Sequence, residues 1–276
     1  MPFLKHQNGN EKVKIYYQDY GKGDPVILIH GWPLSHQAWE GQISTLVDAG
    51  YRVIAYDRRG FGKSSQPLND FDYSSLTEDL RELILQLDLS NVTLVGFSMG
   101  GGEVVRYFTD YEGDRVVKAA LIASIIPLVA QKDDNPGGVP QSNLDEIMAK
   151  LKTDRIGFLK GFHENFYNFQ ELKDRVSQAN LDYDFSIASH ASPIATLKTA
   201  EAWANTDFRS ELKNVDVPTL IVHGDADHIV PFQTSAKQAA QGIQDNEYHL
   251  IFNAPHGLNL THKAELNALL LAFLKK

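Results

Sequence analysis

Val92-Thr-Leu-Val-Gly96-Phe-Ser98-Met-Gly100 is the stretch on which the reading of this 276-residue chain turns. Val92–Val95 is an uninterrupted run of strand formers, as expected of a strand covered on both faces. The residues after Gly100 read as the start of a helix. Between the two, a serine has glycine two positions away on either side. A serine held on a tight strand-to-helix turn has a strained backbone that leaves no room for side chains at those positions. Taken alone the pattern is weak, since chance would place it in on the order of a tenth of chains of this length from usual composition. The strand–turn–helix setting gives it weight, and Ser98 becomes a candidate nucleophile at one end of a sheet.

Working outward, the same apolar strand pattern recurs at Val26–Ile29, Val53–Tyr56, Ala119–Ala123 and Leu220–Val222. Val13–Tyr17 alternates and Gly21–Pro25 makes a turn, while Tyr248–Phe252 alternates as an edge strand would. Helical patterns lie between them: His36–Ala49, with Trp39, Ile43, Leu46 and Val47 on one stripe, Leu76–Leu87, and a last helix over Leu260–Leu274. Buried strands alternating with helices predict an α/β chain whose mostly parallel central sheet is covered by helices on both faces. The alternation fails between Pro127 and Asp216, where Asp133-Asp-Asn-Pro-Gly-Gly138 leads into helix-like segments rich in Phe and Tyr. The expected organisation is therefore a core of residues 1–126 and 217–276, with a helical cap insert at 127–216. No internal repeat is visible.

A serine hydroxyl is a poor nucleophile unless a base takes its proton during attack. Asn253-Ala-Pro-His256-Gly257 follows the last strand pattern, and its Pro and Gly mark a bent loop from which an imidazole can turn over the sheet. The base in turn needs a carboxylate to hold its tautomer and stabilise its cation. His223-Gly-Asp225-Ala-Asp227 follows the Leu220–Val222 strand and offers two. Asp227, further out, is the better candidate; Asp225, at the strand end, is better placed to tie down its own loop. Attack on a carbonyl also creates an oxyanion that needs N–H donors. The Met99 amide, just after the serine, is one. The Trp32 amide, in the loop His30-Gly-Trp-Pro33 that ends Val26–Ile29, is the other. Activity should rise with pH as the imidazole loses its proton.

Composition narrows the partners. Lys and Arg total 26 against 35 Asp and Glu, a net charge of −9 at pH 7. That balance argues against a nucleic acid or an anionic membrane surface as partner, since both call for a basic face. Cysteine is absent, which removes disulfides, thiolate metal sites and a cysteine nucleophile together. No apolar run approaches the ~20 residues of a membrane helix, and Met1-Pro-Phe-Leu-Lys-His-Gln-Asn8 has no signal-peptide apolar region. The chain reads as soluble and cytoplasmic. Gly62-Lys-Ser64 has Asp57 where a phosphate-binding loop needs glycine, and His163-Glu164 has Tyr167 where a zinc helix needs its second histidine.

These residues resemble the α/β-hydrolases, and more narrowly the bacterial cofactor-free haloperoxidases, also called perhydrolases and aryl esterases. The resemblance is carried by His30-Gly-Trp-Pro-Leu34, Asp57-Arg-Arg-Gly-Phe-Gly-Lys-Ser64, Gly96-Phe-Ser-Met-Gly-Gly-Gly102, Asn135-Pro-Gly-Gly138, Val217–Asp227 and Ala254-Pro-His-Gly257. It spans roughly Tyr17 to Leu274 and is weakest around Phe158–Tyr183. It implies an α/β-hydrolase fold, a Ser98/Asp227/His256 triad, no metal or other cofactor, and small carboxylic esters cleaved through an acyl-enzyme, with peracid formation as a side activity. A lactone or lactam hydrolase on the same triad is the alternative within enzymes; a non-catalytic small-ligand receptor is the alternative outside them. A homo-oligomer is left open. The insert carries Phe158, Phe162, Phe166, Tyr167 and Phe169 at helical spacing, a stripe that packing alone would explain. Trp32, Ile125, Phe162, Val230, Phe232 and Leu258 are the expected lining of an apolar substrate pocket.

Overall fold

A computed structural model describes residues 2–8 and 11–276; Met1, Gly9 and Asn10, within the expected core range, lie outside them. The described residues form one eight-stranded sheet. Its strands are β1 (Phe3–Asn8), β2 (Glu11–Tyr20), β3 (Pro25–Ile29), β4 (Arg52–Tyr56), β5 (Val92–Phe97), β6 (Val116–Ile122), β7 (Thr219–Gly224) and β8 (Asn246–Ile251). The order across the sheet is β1-β2-β4-β3-β5-β6-β7-β8. From β4 to β8 every pair is parallel, with Ile27 opposite both Ile54 and Leu94. β1 and β2 are antiparallel additions at one edge. As expected from its alternation, β8 is the other edge.

The parallel strands carry apolar residues on both faces because both faces are covered. Ile27, Ile29, Ile54 and Leu94 pack with Leu76 and Leu80 of α2 (Tyr73–Gln86) and with Val104 and Phe108 of α3 (Gly100–Tyr111). Their neighbours Val26, Leu28, Val53 and Val95 point the other way, against Leu46 of α1 (Glu40–Asp48) and Leu266 and Leu270 of the last helix. This is the period-two alternation of a strand sorted into two cores.

Between β6 and β7 come α4 (Gln141–Phe166), α5 (Gln178–Ser189) and α6 (Pro193–Asn205), and no strand of the sheet. α4 bends at Asp154, whose carboxylate accepts from Gly157 N–H at 2.9 Å and so caps the second half. α7 (Ala236–Gly242), α8 (Leu258–Thr261) and α9 (Lys263–Leu274) complete the chain. Two expected helices are divided. His36–Trp39 is a 3-10 turn ahead of α1, with Ser35 Oγ accepting from Gln37 N–H at 3.3 Å. The last helix breaks at His262 between α8 and α9. Among the described residues, no helix is long and apolar enough to cross a membrane.

β3 is followed by β4 on one side, yet β5 lies on the other. The loops after β3 and β5 therefore diverge and open a crevice at the carboxyl edge of the sheet. Both carry candidate site residues.

Candidate active site

Ser98 leaves β5 in the left-handed region, φ 53°, and α3 begins two residues later. The turn is fixed by Ser98 N–H donating to Ile122 carbonyl (2.9 Å) and by Gly101 N–H donating to the Ser98 carbonyl (3.1 Å). Its two glycines answer to close approach. A Cβ on Gly96 would lie 2.6 Å from the Gly100 carbonyl oxygen, and one on Gly100 would lie 2.6 Å from that of Ile29. Any side chain at either position would push the strand, the turn and the helix apart.

His256 and Asp227 meet this serine from separate loops. The Ser98 hydroxyl donates to His256 Nε2 at 2.9 Å, and His256 Nδ1 donates to Asp227 Oδ2 at 2.7 Å. All three residues are buried, His256 to 1% exposure. Its ring is held between Phe97, 5.4 Å away, and Phe166 at the end of α4, 4.9 Å away. Gly257 N–H donates to the Phe166 carbonyl at 2.9 Å, which ties the imidazole loop to the helical segment above it. Asp227 Oδ1 accepts from Ile229 and Val230 N–H. Burial by itself would raise the pKa of Asp227; the His256 imidazole and the hydrogen bonds from His223 and His256 outweigh it and hold the carboxyl well below the usual range. Asp225, the competing carboxylate, is exposed and accepts from Asn253 N–H at 2.6 Å, joining its loop to the one that carries His256.

The loop after β3 lies against the serine. A Cβ on Gly31 would stand 3.0 Å from Ser98 Cβ and 2.9 Å from the Phe97 ring. Among the described residues, the N–H groups of Trp32 and Met99 donate to no acceptor, which leaves both available to a ligand oxygen. Buried charges brace this loop. Arg58 Nη2 donates to the His30 carbonyl at 2.8 Å and Arg58 N–H donates to His30 Nε2 at 3.0 Å. Arg58 also pairs with Glu103 of α3, which accepts from the Tyr56 hydroxyl as well. His30 is completely buried, and burial together with Arg58 holds its pKa well below the ordinary value, so the ring is neutral. Asp57 accepts from His36 and from Lys63 N–H and so joins the loops that follow β3 and β4.

Ser98 and His256 open onto a cavity of about 520 Å³. Of the expected lining, Trp32, Ile125, Phe162 and Val230 are there. Phe232 and Leu258 are not, and both expectations are corrected. Leu258 starts α8 and is fully buried in the core cluster that also holds Trp39 and Phe97. Phe232 is half-buried outside the lining, where its carbonyl accepts from Lys237 N–H at 3.0 Å. The aromatic stripe that begins at Phe158 divides: Phe158 and Phe162 face the cavity, Phe166 covers His256, and Tyr167 donates to Asp184. Sequence reading missed Val129, Leu144, Ile147 and Trp203, which close the apolar wall. Phe158 was also left out of the expected lining, although its place four residues before Phe162 was a signal for it. Gly137 and Gly138 also line the cavity, on a loop that Asn135 folds by donating to the Ala130 carbonyl at 3.0 Å. No Asp, Glu, Lys or Arg is among the described lining residues. No cluster of three or more His, Cys, Asp or Glu among the described residues is arranged to hold a metal ion.

Residues 24–263 match the family described as alpha/beta hydrolase fold. The crystal structure of a bromoperoxidase from Bacillus anthracis is similar over 100% of both chains, with a TM-score of 0.96 and 45% identity. The non-heme chloroperoxidase of Kitasatospora aureofaciens is 38% identical over 278 residues, covering 100% of both chains. The bifunctional esterase/perhydrolase of Acinetobacter calcoaceticus is 34% identical over 269 residues, 95% of this chain and 96% of its own.

Proposed function

Because the chain belongs to the α/β-hydrolase family, we propose that it is a serine hydrolase of small, uncharged carboxylic esters that works through an acyl-enzyme. Ser98 Oγ attacks the ester carbonyl carbon while His256 Nε2 takes the hydroxyl proton, and Asp227 stabilises the imidazolium that forms. The negative charge that develops on the carbonyl oxygen is met by the Trp32 and Met99 N–H groups. Collapse of the tetrahedral intermediate expels the alcohol, which leaves with the proton from His256. Water then attacks the acyl-Ser98 carbonyl, His256 again accepting and returning a proton, and the carboxylic acid departs.

The observation that carries this reading is the unbroken hydrogen-bond chain from Ser98 through His256 to Asp227, opening onto a cavity with no charged lining. An uncharged, aromatic-walled cavity of this size favours modest neutral acyl and alcohol groups over peptides or phosphates. The perhydrolase and haloperoxidase names of its relatives support a second outcome for the same intermediate: hydrogen peroxide replaces water, and acyl transfer to it yields a peracid and free Ser98.

A fluorophosphonate probe tests the nucleophile without knowledge of the natural substrate. The unaltered chain is expected to be labelled at a single site, and Ser98→Ala to be inert. Hydrolysis of p-nitrophenyl acetate, set beside a lactone and a lactam panel, then assigns the bond cleaved. A chain that takes no label and cleaves no ester is a ligand receptor on this fold, and the proposal falls.

A further inference from the structure

Asp227 has one partner that the reaction above does not use. While Oδ1 is held by two main-chain N–H groups, Oδ2 faces two imidazoles: His256 Nδ1 at 2.7 Å and His223 Nε2 at 3.0 Å. His223 is the penultimate residue of β7 and is fully buried. The same Nε2 lies 2.9 Å from the Val230 carbonyl oxygen. Both neighbours of Nε2 are acceptors, so Nε2 must carry a proton to bond either. Nδ1 is buried without a partner, and a proton there would be an unsatisfied buried donor. The ring is therefore the neutral Nε2–H tautomer, whose N–H is hydrogen-bonded to the Val230 carbonyl and lies within 3.0 Å of the Asp227 carboxylate.

We propose that His223 is a positioning residue that clamps Asp227 Oδ2 through Nε2–H and takes up part of the negative charge offered to His256. The proposal rests on the Ser98–His256–Asp227 reading. Its consequence is that Asp227 stays ionised while His256 carries the serine proton, and that the carboxylate does not over-stabilise the protonated base. By sharing Nε2–H with the Val230 carbonyl, His223 also fixes the carboxylate to a residue of the cavity wall. The titratable groups around Asp227 are few. His256 approaches from the loop after β8 and His223 from β7; His228, next in the chain, is exposed and lines the cavity. Asp225 is exposed and engaged with Asn253 N–H.

The test is the second-order rate of fluorophosphonate labelling against pH for the full chain and its variants. His223→Leu removes the donor; His223→Gln offers an amide N–H at about the reach of Nε2. His223→Leu is expected to label about tenfold more slowly or worse, the scale of one hydrogen bond to a charged group. The acid side of its rate–pH curve should move to higher pH, because a carboxylate with one donor fewer holds the protonated base more tightly. His223→Gln should recover to within about threefold, with the curve back in place. Two results would overturn the proposal: His223→Leu labelling like the unaltered chain, or both variants equally slowed with the acid side unmoved, which is a packing role alone. Should His223→Leu fail to fold by circular dichroism, His223→Asn, whose amide is too short to reach Asp227, is held to the same two criteria. Loss of the triad reading has a different signature: labelling that is absent from the unaltered chain, or that survives Asp227→Ala.

Discussion

Asp184→Asn tests how the helical segment over the active site is held. Asp184 lies in α5, is 6% exposed, and accepts a hydrogen bond from Tyr167, the residue after the Phe166 that covers His256. Burial pushes its pKa up to about 6, with Glu40 adding to the rise and the Tyr167 hydroxyl opposing it. The folded value exceeds the unfolded one, so the native state binds the extra proton. The stability this confers is fully present below the ordinary 3.8 and is lost as pH rises through about 6. The difference, about 6 less 3.8, is about 2.2 units, or about 3 kcal/mol at 1.36 kcal/mol per unit. Asparagine keeps an acceptor for Tyr167 and cannot ionise. Urea unfolding of both chains from pH 4 to pH 8 should therefore give curves that meet at the acid end and separate upward. At pH 8 the variant should be the more stable by about 3 kcal/mol. Curves that stay parallel over the whole range would mean that Asp184 titrates alike in the folded and unfolded chains, and would refute the reasoning.

Three further outcomes are expected. Gly31→Ala places a Cβ 2.9 Å from the Phe97 ring, so the loop must move off Ser98 and take the Trp32 N–H with it. Loss of one such donor costs about 10²–10³ in kcat, measurable with p-nitrophenyl acetate; an unchanged kcat would exclude Trp32 from the oxyanion site. Glu103→Leu leaves Arg58, 1% exposed, without its carboxylate. Removing one partner of a buried pair costs about 3–5 kcal/mol, and a urea-derived loss under 1 kcal/mol would show that Arg58 is satisfied without it. Phe162→Ala removes a ring that lines the cavity 5.3 Å from the Trp32 ring. The kcat/KM ratio of p-nitrophenyl octanoate to acetate should rise about tenfold, the scale of one or two methylene contacts, whereas an unaltered ratio would place the acyl chain elsewhere.

What could be read from the sequence depended on whether local pattern or distant packing decides the outcome. Strands β3 to β7 were legible because burial on both faces demands unbroken apolar runs such as Val26–Ile29 and Leu220–Val222. β1 was not. Phe3-Leu-Lys-His-Gln-Asn8 has only Leu4 fully buried among its described side chains, and it is a strand because it pairs with β2, Leu4 opposite Ile15. The helix patterns at His36–Ala49 and Leu260–Leu274 had the right composition but not the breaks. Trp39, φ −102° and ψ 10°, and His262, φ −123°, leave the helical region and interrupt them, and a hydrophobic period does not register either event.

The same division runs through the site. Ser98, Asp227 and His256 could be placed because each follows the carboxyl end of a strand within a few residues, and parallel strands deliver those ends to one edge of the sheet. The pocket wall has no such constraint. Phe162 and Phe166 are one helical turn apart on α4, yet one faces the cavity and the other covers His256. Leu258, two residues after His256, is outside the lining because α8 begins there and its side chain is buried in the core. The buried charges were equally silent: Glu103 follows three glycines in a helix where a carboxylate would ordinarily be solvated, and its partners Arg58 and Tyr56 are more than 40 residues distant. Chain position fixes which edge a loop reaches, and so the candidate reacting groups; which way a helix face rolls is settled by the other helices, and so the substrate must be learned from the folded protein.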